Sequence, residues 1–79
     1  MTMMRFFAAA RAAVGQDETP VDAATLDEAL RGVAAADPER WTALQERCSY
    51  LVDGVTTRDR STTLVGVGTV DVMPPFAGG

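Results

Sequence analysis

The position of the strand-like apolar segments, at the two ends of the chain, constrains the fold most. Residues 2–8 form an apolar run that is too short for a stable helix and predicts a buried strand. Residues 69–73 alternate apolar and polar side chains, as a half-buried strand does. The chain has only 79 residues, enough for one small domain over 1–79. We therefore predict a sheet whose first and last strands are central, where neighbours shield them on both sides.

The helix signals lie between these two segments. Thr25 and Glu28 have the spacing of a capping box, in which each side chain satisfies a free backbone N–H. The apolar residues that follow recur at helical spacing and predict a helix over 26–36. An earlier run rich in Ala and Arg, over 9–14, predicts another helix, and Gly15 follows at the position of a C-terminal cap.

A second start signal follows at Asp37 and Pro38. Asp is favoured as an N-cap and Pro at the first helical position, so the pair predicts a shorter helix that ends near Arg47. Trp41 and Leu44 share one face of this helix. Their spacing favours a packing role for Trp41 over a role as a binding anchor.

Two further strand signals complete the fold prediction. Residues 18–22 predict a strand, and Pro20, which has no N–H to donate, favours an edge position for it. Asp53-Gly54, flanked by strand-like segments 49–52 and 55–58, is a strong two-residue hairpin signal. This order of elements predicts an α+β fold with the helices on one face of the sheet.

Composition excludes several classes of chemistry. The chain has no His, and all seven basic residues are Arg, so imidazole bases, His metal ligands and Lys nucleophiles are missing. The single cysteine, Cys48, can form no disulfide within the chain. The net charge is −4, and the sequence has no basic stripe of the kind that binds nucleic acid. We expect a protein that is not an enzyme on its own and holds no metal.

No targeting or membrane segment is expected. Only five apolar residues lie between Arg5 and Arg11, whereas a secretory signal needs roughly 7–15. No stretch approaches the roughly 20 apolar residues of a membrane span. A lone Cys48 suits a reducing compartment, so we expect a cytoplasmic protein.

The last residues are the most informative part of the sequence. A Gly78-Gly79 end has little steric restriction and could thread a narrow channel to present its α-carboxylate to a partner's active site. Pro74 and Pro75 would hold this tail away from the domain, and Phe76 could anchor it. A frayed terminus is the alternative interpretation, since chain ends are commonly disordered.

Taken together, these features resemble the MoaD branch of the MoaD/ThiS sulfur carriers, the small subunits of molybdopterin synthase. The similarity covers nearly the whole chain, and its most specific part is Pro-Pro-x-x-Gly-Gly at the end. It is carried by Phe6-Phe7-Ala8, Arg11, Gly15, Val52-Asp53-Gly54, Leu64 and the run from Val70 to Gly79. It implies a ubiquitin-like β-grasp fold, with a mixed sheet of four to five strands and an extended tail over 73–79.

Three positions depart from the pattern of this branch. The pair before the last strand is Val67-Gly68 where Gly-Asp is usual, and the hairpin residue is Asp53 where Asn is usual. Both Asn and Asp tolerate a left-handed backbone, so the turn is expected to persist. Met73 stands where an aromatic often precedes the two prolines. These changes leave the carrier chemistry intact and bear on which partner is recognised.

The resemblance implies a specific chemistry. An E1-like enzyme would use ATP to adenylate the Gly79 carboxylate, and a sulfurtransferase or persulfide would convert it to a thiocarboxylate. The tail, formed by Pro74, Pro75, Phe76, Ala77 and Gly78, would then enter the large synthase subunit. There it would donate sulfur to a cyclic pterin phosphate. The carrier itself binds no cofactor, and two small and two large subunits would form a heterotetramer. Phe7, Arg11 and Met73 are candidate partner contacts.

Other interpretations remain open at this stage. The sulfur acceptor could instead be cysteine, thiamine or another metabolite, or the chain could be a ubiquitin-like modifier or interaction module without sulfur. Cys48 is expected to be a small buried hydrophobe, with a reactive thiol as the alternative. An acidic cluster surrounds the start of the main helix, and favourable helix-dipole charge explains Asp27 and Glu28 more simply than a metal does.

Overall fold

The structure, a computed structural model, describes residues 1–75. The elements found there are β1 (Thr2–Phe6), α1 (Ala8–Val14), β2 (Glu18–Val21), α2 (Leu26–Arg31), α3 (Pro38–Gln45), β3 (Ser49–Val52), β4 (Val55–Thr57) and β5 (Thr69–Met73). The strands form one mixed sheet in the order β2-β1-β5-β3-β4. Strands β1 and β5 pair in parallel, and every other pairing is antiparallel. This α+β architecture confirms that the first and last strands are interior and that β2 is an edge strand.

The strand alternation divides the sheet into two faces. The covered face lies under the helices and contributes the buried side chains of Met4, Phe6, Tyr50, Val70 and Val72. The open face carries the alternate residues of the same strands, Met3, Arg5, Leu51, Asp71 and Met73. The helices therefore pack on one face of the sheet, as predicted.

Aromatic residues hold the helical layer on the covered face. The rings of Phe6 and Trp41 meet edge to face with centroids 5.6 Å apart. The Trp41 indole Nε1 donates a hydrogen bond of 3.3 Å to the carbonyl of Leu30, and the Tyr50 hydroxyl donates one of 3.1 Å to the carbonyl of Gln45. Trp41 is thus a buried packing residue, as its helical spacing predicted.

The start of α2 follows the capping prediction with one difference. The Thr25 hydroxyl oxygen accepts a hydrogen bond of 3.3 Å from the backbone N–H of Glu28. The Glu28 carboxylate accepts a bond of 3.3 Å from the N–H of Ala24, the residue before the cap, and not from that of Thr25. Both side chains still satisfy backbone donors at the helix entrance.

The end of α2 differs from the prediction. The helix ends at Arg31, whereas the sequence pattern predicted that it runs to residue 36. The backbone N–H groups of Ala36 and Asp37 instead donate to the carbonyls of Val14 and Ala13, at distances of 3.0 and 2.9 Å. These carbonyls lie at the C-terminal end of α1, where helix geometry leaves them without partners. A tertiary contact therefore overrides the helix propensity of the Ala-rich segment.

The junction between β1 and α1 also differs from the prediction of a strand over 2–8. Strand β1 ends at Phe6, and Ala8 begins α1 with a φ of 49°. A left-handed backbone costs a residue such as Ala roughly 1–2 kcal/mol. Gly15 caps α1 with a φ of 84°, as predicted, and its N–H donates to the carbonyl of Arg11.

The hairpin between β3 and β4 is formed by Asp53 and Gly54, with φ values of 48° and 85°. The predicted two-residue hairpin turn requires a positive φ at both of its residues. Asp53 also connects the hairpin to β5, because its Oδ1 accepts hydrogen bonds of 3.0 and 2.9 Å from the N–H groups of Gly68 and Thr69. A side chain at position 68 would approach this carboxylate at 3.4 Å. Asp53 and Gly68, which both lie at positions that depart from the pattern of the MoaD branch, therefore contact one another.

Candidate functional site

The tail root, which we define as residues 73–75, lies at the end of β5. Met73 is the last residue of β5 and pairs with Ser49 of β3, so it belongs to the sheet and not to the extended segment assigned from the sequence. Pro74 is half-buried and Pro75 is exposed. Neither proline can donate a ladder hydrogen bond, so strand pairing stops here. The predicted tail residues Phe76, Ala77, Gly78 and Gly79 lie outside the described residues.

Two of the predicted partner contacts, Phe7 and Met73, lie at the same end of the paired strands β1 and β5. Phe6 and Val72 are the last pair of this parallel register, and Phe7 and Met73 are the residues that follow them. Phe7 is 39% exposed and lies beyond the end of β1, whereas the sequence predicted a buried strand over 2–8. The Arg5 guanidinium lies 6.0 Å from the centroid of the Phe7 ring, which places the ring beside the open face.

The third predicted contact, Arg11, lies on a different element. It is exposed on α1, about one turn after the strained junction at Ala8. Its guanidinium is 3.6 Å from the carboxylate of Asp17, and both side chains are well exposed. A pair of this kind contributes little to stability, so the Arg11 side chain can reorient towards a partner.

An ion pair that the sequence analysis missed lies in the middle of the open face. Arg5 donates two hydrogen bonds to the Asp71 carboxylate, with distances of 2.6 and 2.9 Å. The side chains are 46% and 13% exposed, respectively. The hydrogen bond and charge of Asp71 raise the pKa of Arg5 above its ordinary value. The sequence could have indicated this contact only through the alternation of side chains along β1 and β5 together with the register in which the two strands pair.

Cys48 is a buried thiol in the core. It is 2% exposed, and burial raises its pKa to about 11. A thiol with this pKa remains protonated at neutral pH, and the thiolate is the reactive form. The structure therefore supports the expected role of a small buried hydrophobe.

One carboxylate of the acidic cluster at the start of α2, that of Asp27, is paired with arginines. The Asp27 carboxylate contacts Arg60 at 2.6 Å and Arg31 at 2.8 Å. The hydrogen bond from Arg60 is the main cause that lowers the pKa of Asp27. Within residues 1–75, no group of three or more Cys, Asp and Glu side chains converges as a metal site would require. Over the same residues, no helix has the length and apolar character needed to cross a membrane.

The fold and the family comparison now identify the class of protein. A mixed five-stranded sheet with parallel central strands and helices on one face is a ubiquitin-like β-grasp. Residues 4–79 match the ThiS family, and the chain belongs to this family of ubiquitin-like sulfur carriers. None of the curated proteins compared with the chain matches it.

Proposed function

We propose that this chain is the sulfur-carrier small subunit of molybdopterin synthase, which acts in molybdenum cofactor biosynthesis. Membership of the ThiS family supports a sulfur-carrier role. The main observation behind the finer assignment is the continuity of the central strand β5 with Pro74-Pro75 and then with Gly78-Gly79. A tail of this kind follows directly from the central strand of the sheet and ends in two residues without side chains.

The proposed chemistry takes place at Gly79. Its carboxylate attacks the α-phosphorus of ATP in an adenylating enzyme and releases pyrophosphate, which makes the carboxyl carbon electrophilic. A persulfide sulfur then displaces AMP, and a thiol cleaves the S–S bond to leave the thiocarboxylate. This sulfur is finally transferred to a cyclic pterin phosphate in the large subunit. The chain itself supplies no side-chain nucleophile, which agrees with its lack of Lys and the burial of Cys48.

The proposed partners meet the chain around the tail root. Phe7 and Met73 offer an apolar contact there, and Arg11 offers a mobile cation on the adjacent helix. Residues 74–78 thread the partner's channel. We propose that two carriers and two large subunits form the synthase in the cytoplasm.

Deletion of Gly79 tests this proposal. The truncated chain should keep the thermal unfolding midpoint of the full chain and lose sulfur transfer to the pterin substrate in the presence of the large subunit. Val65→Ala is a matched control, since Val65 is exposed, has no packing role and lies in the segment before β5, away from the tail root. It should keep full activity. Sulfur transfer by the chain that lacks Gly79 would contradict the proposal.

A carrier for a different acceptor, such as thiamine or cysteine, is the second candidate. The residues that favour it are Val67-Gly68 and Met73, which depart from the molybdopterin-type pattern. Binding of the chain to a molybdopterin synthase large subunit separates the two candidates, because only the first predicts a stable complex. A modifier role would instead be indicated by recovery of Gly79 in an amide bond to a lysine of another protein.

A further inference from the structure

The two edges of the sheet differ in whether a further strand can pair with them. Strand β2 forms one edge and β4 forms the other. Pro20 lies within β2 and has no N–H to offer, and Glu18 places a charge on the same strand. Proline and charge are features that protect an edge strand against further pairing. Strand β4 has neither, so of the two edges it is the one that can extend the sheet.

The outer side of β4 offers a donor and an acceptor at one residue. The two-residue turn of the β3–β4 hairpin makes Val52 and Val55 a hydrogen-bonded pair. Bonded and non-bonded pairs alternate along an antiparallel ladder, so the next pair, Leu51 and Thr56, exchanges no bond. The N–H and C=O of Thr56 therefore point away from β3. Within residues 1–75, no strand pairs with β4 on that side.

A second copy of this chain fits this edge in one antiparallel register. In such a register, a residue whose backbone groups point outward must face another residue of the same kind. Thr56 is the residue of this kind within β4, so each Thr56 faces its own counterpart across a two-fold axis. The same register places Val55 opposite Thr57 of the second copy. Val55, which is 68% exposed, is then partly covered.

The charges around the ends of β4 match this register. Arg58 follows the strand and faces Gly54 of the second copy, next to its Asp53. Within residues 1–75, Arg58 has no ion-pair partner of its own. Asp59 does not oppose this contact, because its carboxylate accepts a hydrogen bond of 2.9 Å from the N–H of Ser61 in its own loop. The two-fold axis repeats the attraction at the other end of the strand pair.

We propose that this chain forms a weak two-fold dimer in solution, in which β4 pairs in antiparallel fashion with β4 of a second copy. Both copies use the same edge, and β2 is protected, so the assembly closes as a dimer and does not grow into a fibre.

The dimer leaves both tails accessible. Strand β5 runs in the same direction as β4, because both are antiparallel to β3. The two-fold axis reverses this direction, so the two tail roots lie at opposite ends of the joint sheet. The dimer does not depend on the proposed sulfur-carrier function, and its test is independent of sulfur transfer.

Sedimentation velocity of the full chain tests the proposal, from about 10 µM to about 1 mM because one short strand pair is a small interface. We expect the sedimentation coefficient to rise with concentration from the monomer value to the dimer value. In Thr56→Pro each copy loses the N–H that faces the other, so the dissociation constant should rise about tenfold or more. The ladder between β3 and β4 keeps its bonds, since that N–H points away from it.

The controls separate edge pairing from folding and from other surfaces. Thr56→Ser keeps the N–H and should keep the dissociation constant within about twofold of the wild-type value. Glu18→Gln, on the opposite edge, should leave it unchanged. Thermal unfolding shows that each variant is folded. Val55→Lys, which places a charge on the edge, replaces Thr56→Pro if the latter does not fold.

Amide NMR spectra of the wild-type chain locate the contact, and we expect concentration-dependent shifts at residues 55–58. A wild-type chain that stays monomeric over the whole concentration range overturns the proposal. A dimer that survives in the folded edge variant also overturns it, as do shifts confined to β2 or to the open face, because another surface then holds the copies together. If the wild-type chain is monomeric and the Thr56 amide is protected only in a complex with another protein, the edge takes a strand of that protein and the self-pairing is contradicted.

Discussion

The two faces of one sheet differ in what they contribute, although the same strands form both. On the covered face, Met4, Val70 and Val72 are fully buried under the helices. On the open face, Met3 is half-buried, and the Arg5–Asp71 pair takes the place of a hydrophobic contact. Successive residues of a strand point to opposite sides, so a single step along β1 changes the environment completely.

This difference separates stability from recognition. The covered face buries the large apolar side chains that stabilise a chain of this size. The open face contributes less to folding and can present side chains to a partner. Substitutions on the two faces therefore test this division.

Met4 and Met3 provide a direct comparison, because they are identical neighbours on opposite faces. Met4→Ala should lower the free energy of unfolding by about 2–5 kcal/mol, through lost burial and a residual cavity. Met3→Ala should cost less than about 1 kcal/mol, as surface changes generally do. Urea denaturation of both variants measures the two values. Equal losses would show that the faces do not differ in their contribution to folding.

Alkaline pH should destabilise the buried side of the molecule. Burial raises the pKa of Cys48 from 9.0 to about 11, and that of Tyr50 from 10.0 to about 12. Since the folded state retains these protons longer than the unfolded state, the contribution of these two groups to stability is constant below about pH 9 and falls as the pH rises through the raised values. Cys48 accounts for about 2–3 kcal/mol of this loss between pH 9 and 11. In Cys48→Ala the decrease should begin one pH unit later, with Tyr50, and an unchanged profile would contradict the assignment.

The cap of α2 is expected to have a moderate effect. In Thr25→Ala the N–H of Glu28 loses its acceptor at the helix start, which should lower the free energy of unfolding by about 1 kcal/mol. Thr25→Ser keeps the hydroxyl oxygen and serves as the control. If both variants lose the same stability in thermal unfolding, the effect lies in the methyl group of Thr25 and not in the cap.

Arg5 should show the smallest effect on folding of the free chain. Arg5→Met removes the ion-pair partner of Asp71, but the Arg5 side chain is itself 46% exposed, so we expect only a small shift in the midpoint of unfolding. Chemical denaturation of the variant alone gives this value. A loss comparable to that of Met4→Ala would show that the pair is a structural element of the sheet.

Much of the fold could be predicted because its signals are local. The alternation in residues 69–73, the Asp53-Gly54 turn and the Asp37-Pro38 helix start each depend on a few adjacent residues, and the structure confirms all three. The end of α2 at Arg31 did have a local signal that the prediction passed over, because Gly32 follows as the C-cap residue. The course of the next segment is non-local, since Ala36 and Asp37 donate hydrogen bonds to carbonyl groups of α1 that are far from them in sequence.

In the candidate site, too, the features that depend on adjacent residues could be predicted and those that depend on distant residues could not. The tail motif and the tail root are contiguous, so the sequence indicated them directly. The Arg5–Asp71 pair joins residues 66 positions apart and exists only because β1 and β5 pair in parallel with that register. The exposure of Phe7 was not predicted either, because an alanine gives no signal of the left-handed backbone that Ala8 adopts where the strand ends.

The mass of the intact chain tests directly whether Gly79 carries sulfur. The chain is incubated with an adenylating enzyme, ATP and a sulfur donor, and the enzyme is shown to be active on another carrier. We expect a mass gain equal to the replacement of one oxygen by sulfur, located at Gly79 by fragmentation. An unchanged mass under these conditions would contradict the carrier mechanism.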